Sequence, residues 1–107
     1  MPGQLDYLRC FVQRISEMQS PDSAIQAVIA SLKEIRPILS TITESDFVNG
    51  KENTSAPIFG GRIQAINRAL LQTSKLFCCL DQNLAEPDLI TRYQQETLPE
   101  IFRLIGH

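Results

Sequence analysis

Apolar residues recur at steps of three and four along most of the chain, with one long interruption. Leu5, Leu8, Phe11, Val12, Ile15 and Met18 form the first stripe. That spacing predicts an amphipathic helix from about Gly3 to Gln19. Asp6 near its start suits the positive end of the helix dipole.

A second stripe runs through Ile25, Val28, Ile29, Leu32, Ile35, Ile38, Leu39 and Ile42. It opens at Ser20-Pro21-Asp22, where Ser20 suits an N-cap and Pro21 the first helical position. Ala24, Ala27 and Ala30 add helix propensity. Pro37 lies inside the stripe. It removes one backbone hydrogen bond and crowds the preceding turn. Because the apolar spacing stays in phase to Ile42, a kink is expected there.

Residues 45–60 break the pattern. Asn49-Gly50 is a turn signal, and Pro57 and Gly60-Gly61 are breakers. Lys51-Glu52-Asn53-Thr54-Ser55 is too polar for a strand. A loop is expected, with Phe47, Val48, Ile58 and Phe59 pinning its ends to the core.

The third stripe contains Ile63, Ile66, Leu70, Phe77, Leu80 and Leu84, widened by Ala65, Ala69, Leu71 and Leu76. It predicts a helix from Gly61 to about Asn83, apolar enough to lie centrally. Thr73 and Ser74 fall where apolar residues are expected, so they are expected to bond back to carbonyls of the preceding turn. The fourth stripe starts at Glu86-Pro87-Asp88 and includes Leu89, Ile90, Tyr93, Leu98, Ile101, Phe102, Leu104 and Ile105. Gly106 suits its C-terminal cap. Pro99 implies a kink or a fresh helical start near Thr97.

Together these patterns predict an all-α protein, a single helical domain over residues 1–107. Four helices form a compact bundle of two antiparallel hairpins, kinked near Pro37 and Pro99 and joined by the loop at 45–60. Ile35-Arg36-Pro37-Ile38-Leu39 and Thr97-Leu98-Pro99-Glu100-Ile101-Phe102 each place a proline within an apolar helix. That texture resembles the first helices of HEAT- or armadillo-type repeats. The spacing of the two prolines falls outside the period of one such repeat.

Composition narrows the function classes. In 107 residues, 10 Lys and Arg stand against 12 Asp and Glu, a net charge of -2. A dedicated nucleic-acid binder carries a basic excess, so none is expected here. Arg62, Arg68 and Lys75 on the third helix offer only a modest phosphate contact. No apolar run approaches the roughly 18 residues of a membrane span, so no membrane partner is expected. No basic segment followed by an apolar one opens the chain, so no secretory signal is expected. Cys10, Cys78 and Cys79 are odd in number and two are adjacent, which points to thiols in an intracellular, reducing compartment, cytoplasm or nucleus. They lack the second pair of a metal site, and no metal or cofactor is expected.

Catalysis has little to rest on. The one histidine, His107, is terminal, so no nucleophile–base pair is in view. No phosphate-binding glycine motif is present. Gly60-Gly61-Arg62 before a helix is at most a weak anion contact. The chain is therefore read as no enzyme. Two short motifs remain. Lys51-Glu52-Asn53 resembles the KEN destruction box read by the mitotic ubiquitin ligase, in a suitable loop. Ser20-Pro21 has the form of a proline-directed phosphorylation site, besides suiting a cap.

By elimination the expected function is a non-catalytic protein–protein interaction module, a scaffold or subunit of a larger assembly. Leu71, Leu76, Tyr93 and Phe102 are the expected contact residues, as apolar side chains too many for a lone bundle to bury. Another protein, or self-association, would cover that helical face. The alternative is an internal pocket for an apolar small ligand or lipid, opened by the kinks at Pro37 and Pro99.

Overall fold

The computed structural model describes residues 3–50, 61–84 and 86–106. Its helices are α1 (Gln4–Ser16), α2 (Ser23–Leu39), α3 (Glu44–Asn49), α4 (Arg62–Asp81), α5 (Pro87–Arg92) and α6 (Leu98–Leu104). A π-helical turn, Tyr93–Thr97, joins α5 to α6. No strand occurs among the described residues, so the all-α expectation holds.

Helices α1 and α4 form the centre. α1 packs against α2, α3 and α4, while α4 packs against α1, α3, the π turn and α6. α5 reaches across to α2. Leu8, Val12, Val28, Leu32, Ile66 and Ile101 are among the side chains that fill the space between them. Each stripe faces inward because apolar burial drives the packing and the helical period sets which residues share a side.

Three expectations are corrected. The first helix residue of α2 is Ser23, and its cap is Asp22, not Ser20. The Asp22 carboxylate accepts from the N–H groups of Ala24 (2.8 Å) and Ile25 (3.3 Å). A carboxylate satisfies two orphan donors at once and also suits the dipole. Second, α2 does not run on to Ile42; it ends at Leu39, with Pro37 inside its last turn. The carbonyls at and just beyond its end are taken by backbone and side-chain donors together: Ser40 N–H goes to Arg36 O and Thr41 N–H to Ile38 O. Arg9 Nε donates to Leu39 O at 2.8 Å, the other end of the Arg9 fork reaches Ile42 O, and the Ser40 hydroxyl donates to Pro37 O. These bonds stop the helix where intrahelical partners run out.

Third, part of the expected loop is helical. Thr43 caps α3 by accepting from Asp46 N–H at 3.1 Å, and Phe47 is fully buried. Gly50 ends α3 at φ +54°, ψ 151°, a region that in practice only glycine occupies. Asn49-Gly50 is thus a helix terminus. Ile58 and Phe59 lie outside the described residues.

The two proline segments do not share one local structure, so the repeat-like texture has no counterpart in the fold. Pro37 sits in the last turn of α2. Pro99 sits in the first turn of α6, directly after the π turn. Arg92, Tyr93, Thr97 and Leu98 all keep right-handed helical backbone, so the segment runs on through the π turn and makes no fresh start near Thr97.

Candidate functional site

The largest break in the inward rule is on α1 and α4. Tyr7, Phe11 and Arg14 follow one another at steps of four and three, so they share one side of α1. Ile63, Leu70 and Phe77 recur every seven residues and share one side of α4. The two sides meet where the rings of Phe11 and Phe77 lie 5.9 Å apart, tilted by 45°. That is an ordinary aromatic contact distance. The Arg14 guanidinium carbon lies 5.5 Å from the centroid of the Phe77 ring, within cation–π range.

Much of this band faces water. Tyr7 is 49% exposed, Ile63 44% and Leu71, next to Leu70 on the outer side, 52%. Phe11, Leu70 and Phe77 are half-buried. Cys10 and Cys78, each adjacent in sequence to one of the rings, are exposed free thiols, while Cys79 is half-buried. The adjacent pair thus diverges around the helix, as a turn of about 100° per residue requires.

Of the four expected contact residues, two lie at the surface or near it. Leu71 is exposed, and Phe102 is half-buried against the core. Leu76 and Tyr93 are corrected: both are buried, at 0% and 1% exposure. Leu76 shares the inward side of α4 with Ala65, Ala69 and Thr73. Tyr93 is held inside because its polar tip finds a partner there. Its hydroxyl lies 2.8 Å from Thr73 Oγ1, which in turn donates to Ala69 O at 2.7 Å. A buried hydroxyl with a partner escapes the desolvation cost that would otherwise expel it. Burial pushes the Tyr93 pKa well above the ordinary tyrosine range, an effect the Thr73 bond only partly offsets. Ser74 also bonds back, to Leu71 O at 2.8 Å.

The basic residues of α4 are engaged in the fold, apart from Lys75, which is exposed. Arg62 Nε donates to Phe47 O at 2.7 Å and its Nη2 to Leu104 O at 2.6 Å. One guanidinium thus takes terminal carbonyls of both α3 and α6. Desolvation lowers its pKa from the usual arginine value, and it stays cationic at neutral pH. Arg68 pairs with Glu100 of α6 at 3.3 Å. Gly61 N–H is given to Gln64 Oε1 at 2.5 Å, so neither it nor the Arg62 fork awaits an anion.

Tyr7 is a surface residue that the sequence pattern did not single out, and Ile63, placed in the inward stripe of the third helix, is corrected: it is exposed. Tyr7 lies just off the apolar stripe of α1, and Ile63 lies in the first turn of α4. Lys51, Glu52 and Asn53 lie outside the described residues. Pro37 and Pro99 face solvent. Among the described residues no group of three or more His, Cys, Asp or Glu side chains is placed to hold a metal ion. No helix among them is long and apolar enough to cross a membrane. No protein-family model, curated protein or solved structure matches the chain.

Proposed function

We propose that this chain is a non-catalytic helical interaction module, docking another protein or a second copy of itself on the outer band of α1 and α4. One observation carries the reading. Tyr7 and Ile63, each nearly half exposed, lie on the sides of α1 and α4 that carry the Phe11–Phe77 ring pair, and Leu71 is exposed further round α4. Exposed apolar patches mark interaction sites in soluble proteins, and aromatic side chains are enriched in them. Phe102 stands apart from this band on α6. The Lys51-Glu52-Asn53 destruction motif would add turnover control to such a module. A pocket for an apolar ligand draws no support from the prolines that motivated it.

The test is light scattering behind size exclusion over a concentration series, with an apolar fluorescent dye as a second reading. The comparison is between the natural chain and the double variant Tyr7→Glu, Leu71→Glu. Surface changes of this kind alter stability by only about 0.5 kcal/mol, so the variant stays folded. The natural chain is expected to associate as concentration rises, or to bind the dye, and the variant to lose both. A natural chain that stays a 12.0 kDa monomer, with dye binding equal to the variant's, overturns the reading.

A further inference from the structure

Ser20-Pro21 has two readings in the sequence, and the structure removes one of them. The cap of α2 is Asp22, so Ser20 is not needed there. Ser20 lies in the non-helical link between α1 and α2, residues 17–22. Glu17, Gln19, Pro21 and Asp22 are exposed around it, and Ser20 itself is half-buried. Its Oγ accepts one bond, from Asp22 N–H at 3.1 Å. Its own proton goes to no acceptor among the described residues. It is also the sole Ser or Thr in the chain that is followed by proline.

We infer that Ser20 is a phosphoacceptor for a proline-directed serine/threonine kinase. The Ser20 Oγ–P bond forms as the γ-phosphoryl bond of ATP breaks. ADP leaves, and the hydroxyl proton passes to the kinase's catalytic base. The consequence follows from the neighbours. The phosphate brings a charge near -2 to within two residues of the Asp22 carboxylate. Both anions then compete for the N–H groups of Ala24 and Ile25. Modification therefore acts on the first turn of α2. It does not depend on the α1–α4 band.

The experiment incubates the folded full-length chain with a purified proline-directed kinase and ATP, and locates the product by fragment mass spectrometry. A peptide spanning residues 14–26 serves as the control for kinase activity. Circular dichroism confirms that each variant is folded. One phosphate on Ser20 is expected, absent in Ser20→Ala and largely lost in Pro21→Ala. Amide exchange at Ala24 and Ile25 is expected to change in the phosphorylated chain and in no other helix start. Phosphate on another residue, or a modified peptide beside an unmodified folded chain, overturns the inference. So does failure of both chain and peptide while the kinase modifies its standard substrate.

Discussion

Helix α2 and the C-terminal segment from Pro87 to Leu104 each carry a proline in an apolar stripe, yet they absorb it differently. In α2 the adjacent buried pair Val28 and Ile29 is followed by Leu32, Ile35 and Leu39 at steps of three and four, past Pro37. The helix simply ends two residues later. In the C-terminal segment the buried positions are Ile90, Tyr93, Thr97, Leu98, Ile101 and Leu104. Tyr93 and Leu98, five residues apart, both face inward, whereas a regular α-helix returns residues three and four apart to one side. The extra residue of a π turn absorbs that jump. The Leu98 N–H donates to Tyr93 O, five residues back. The lesson is that the phase of the core contacts, more than the proline, decides where a helix changes character.

Single-residue deletions test this most severely. Removing Lys33, exposed in the middle of α2, rotates Ile35 and Leu39 away from the core. Each is wholly buried, and exposing such a side chain costs about 1.5–3 kcal/mol. Together they approach the roughly 5–15 kcal/mol that a domain has in total. The variant is expected to lose cooperative unfolding, as judged by thermal melts followed by circular dichroism. Removing Gln95, exposed in the π turn, shortens the Tyr93–Leu98 step to four and leaves both facing inward. That variant is expected to stay folded. If both deletions cost the same, the phase argument fails.

A smaller effect concerns how the π turn is held. Tyr93→Phe removes the hydroxyl that meets Thr73 but keeps the ring. Thr73 still donates to Ala69 O, so no buried donor is orphaned. A loss of about 1 kcal/mol is expected in chemical denaturation at neutral pH. The pH dependence sharpens this. The unfolded chain ionises Tyr93 near the ordinary value of 10.0, whereas burial raises the folded value above it. The unfolded state therefore binds fewer protons above about pH 10, and stability falls as pH rises from there. The natural chain is expected to lose stability faster than Tyr93→Phe above that point, by up to about 1.4 kcal/mol per pH unit. Parallel curves would mean that the phenol is not buried in solution.

The contrast also shows what the sequence makes readable. Helices α1, α2 and α4 follow from spacing alone, because each buries one continuous stripe. The π turn has a signal in the sequence: Tyr93 to Leu98 is a step of five in an apolar series, Leu89 to Ile105, whose other steps are three or fewer. α3 is only six residues long and buries Phe47 alone, too little for any period to show. Its marks are local, Thr43 before it and Gly50 after it. The candidate band was half legible. Leu71 stands outside the stripe and is exposed. Leu76 was misread because polar Thr73 hides the inward side they share, and Tyr93 because its partner lies 20 residues away in sequence. Tertiary hydrogen bonds of that kind leave no trace in a periodic pattern.

The finest test exchanges the prolines themselves. Pro37 and Pro99 both face solvent, so neither substitution opens a cavity. In Pro37→Ala the new N–H reaches back to the carbonyl of Lys33 within an otherwise regular helix. Proline in a helix interior is worse than alanine by about 3 kcal/mol. That difference shrinks near the end of α2, and the gain in unfolded-chain freedom takes back about 0.4–1 kcal/mol. A net rise of about 0.5–1 kcal/mol is expected. Pro99 sits in the first turn of α6, where a missing N–H matters less, so Pro99→Ala is expected to leave stability nearly unchanged. The decisive reading is structural. If the five-residue inward step from Tyr93 to Leu98 causes the π turn, Pro99→Ala retains the bond from Leu98 N–H to Tyr93 O, visible as an unchanged amide shift and exchange rate at Leu98. If the turn reverts to a regular α-helix in that variant, the proline was the cause, and the two regions differ by their prolines' surroundings and not by the core they face.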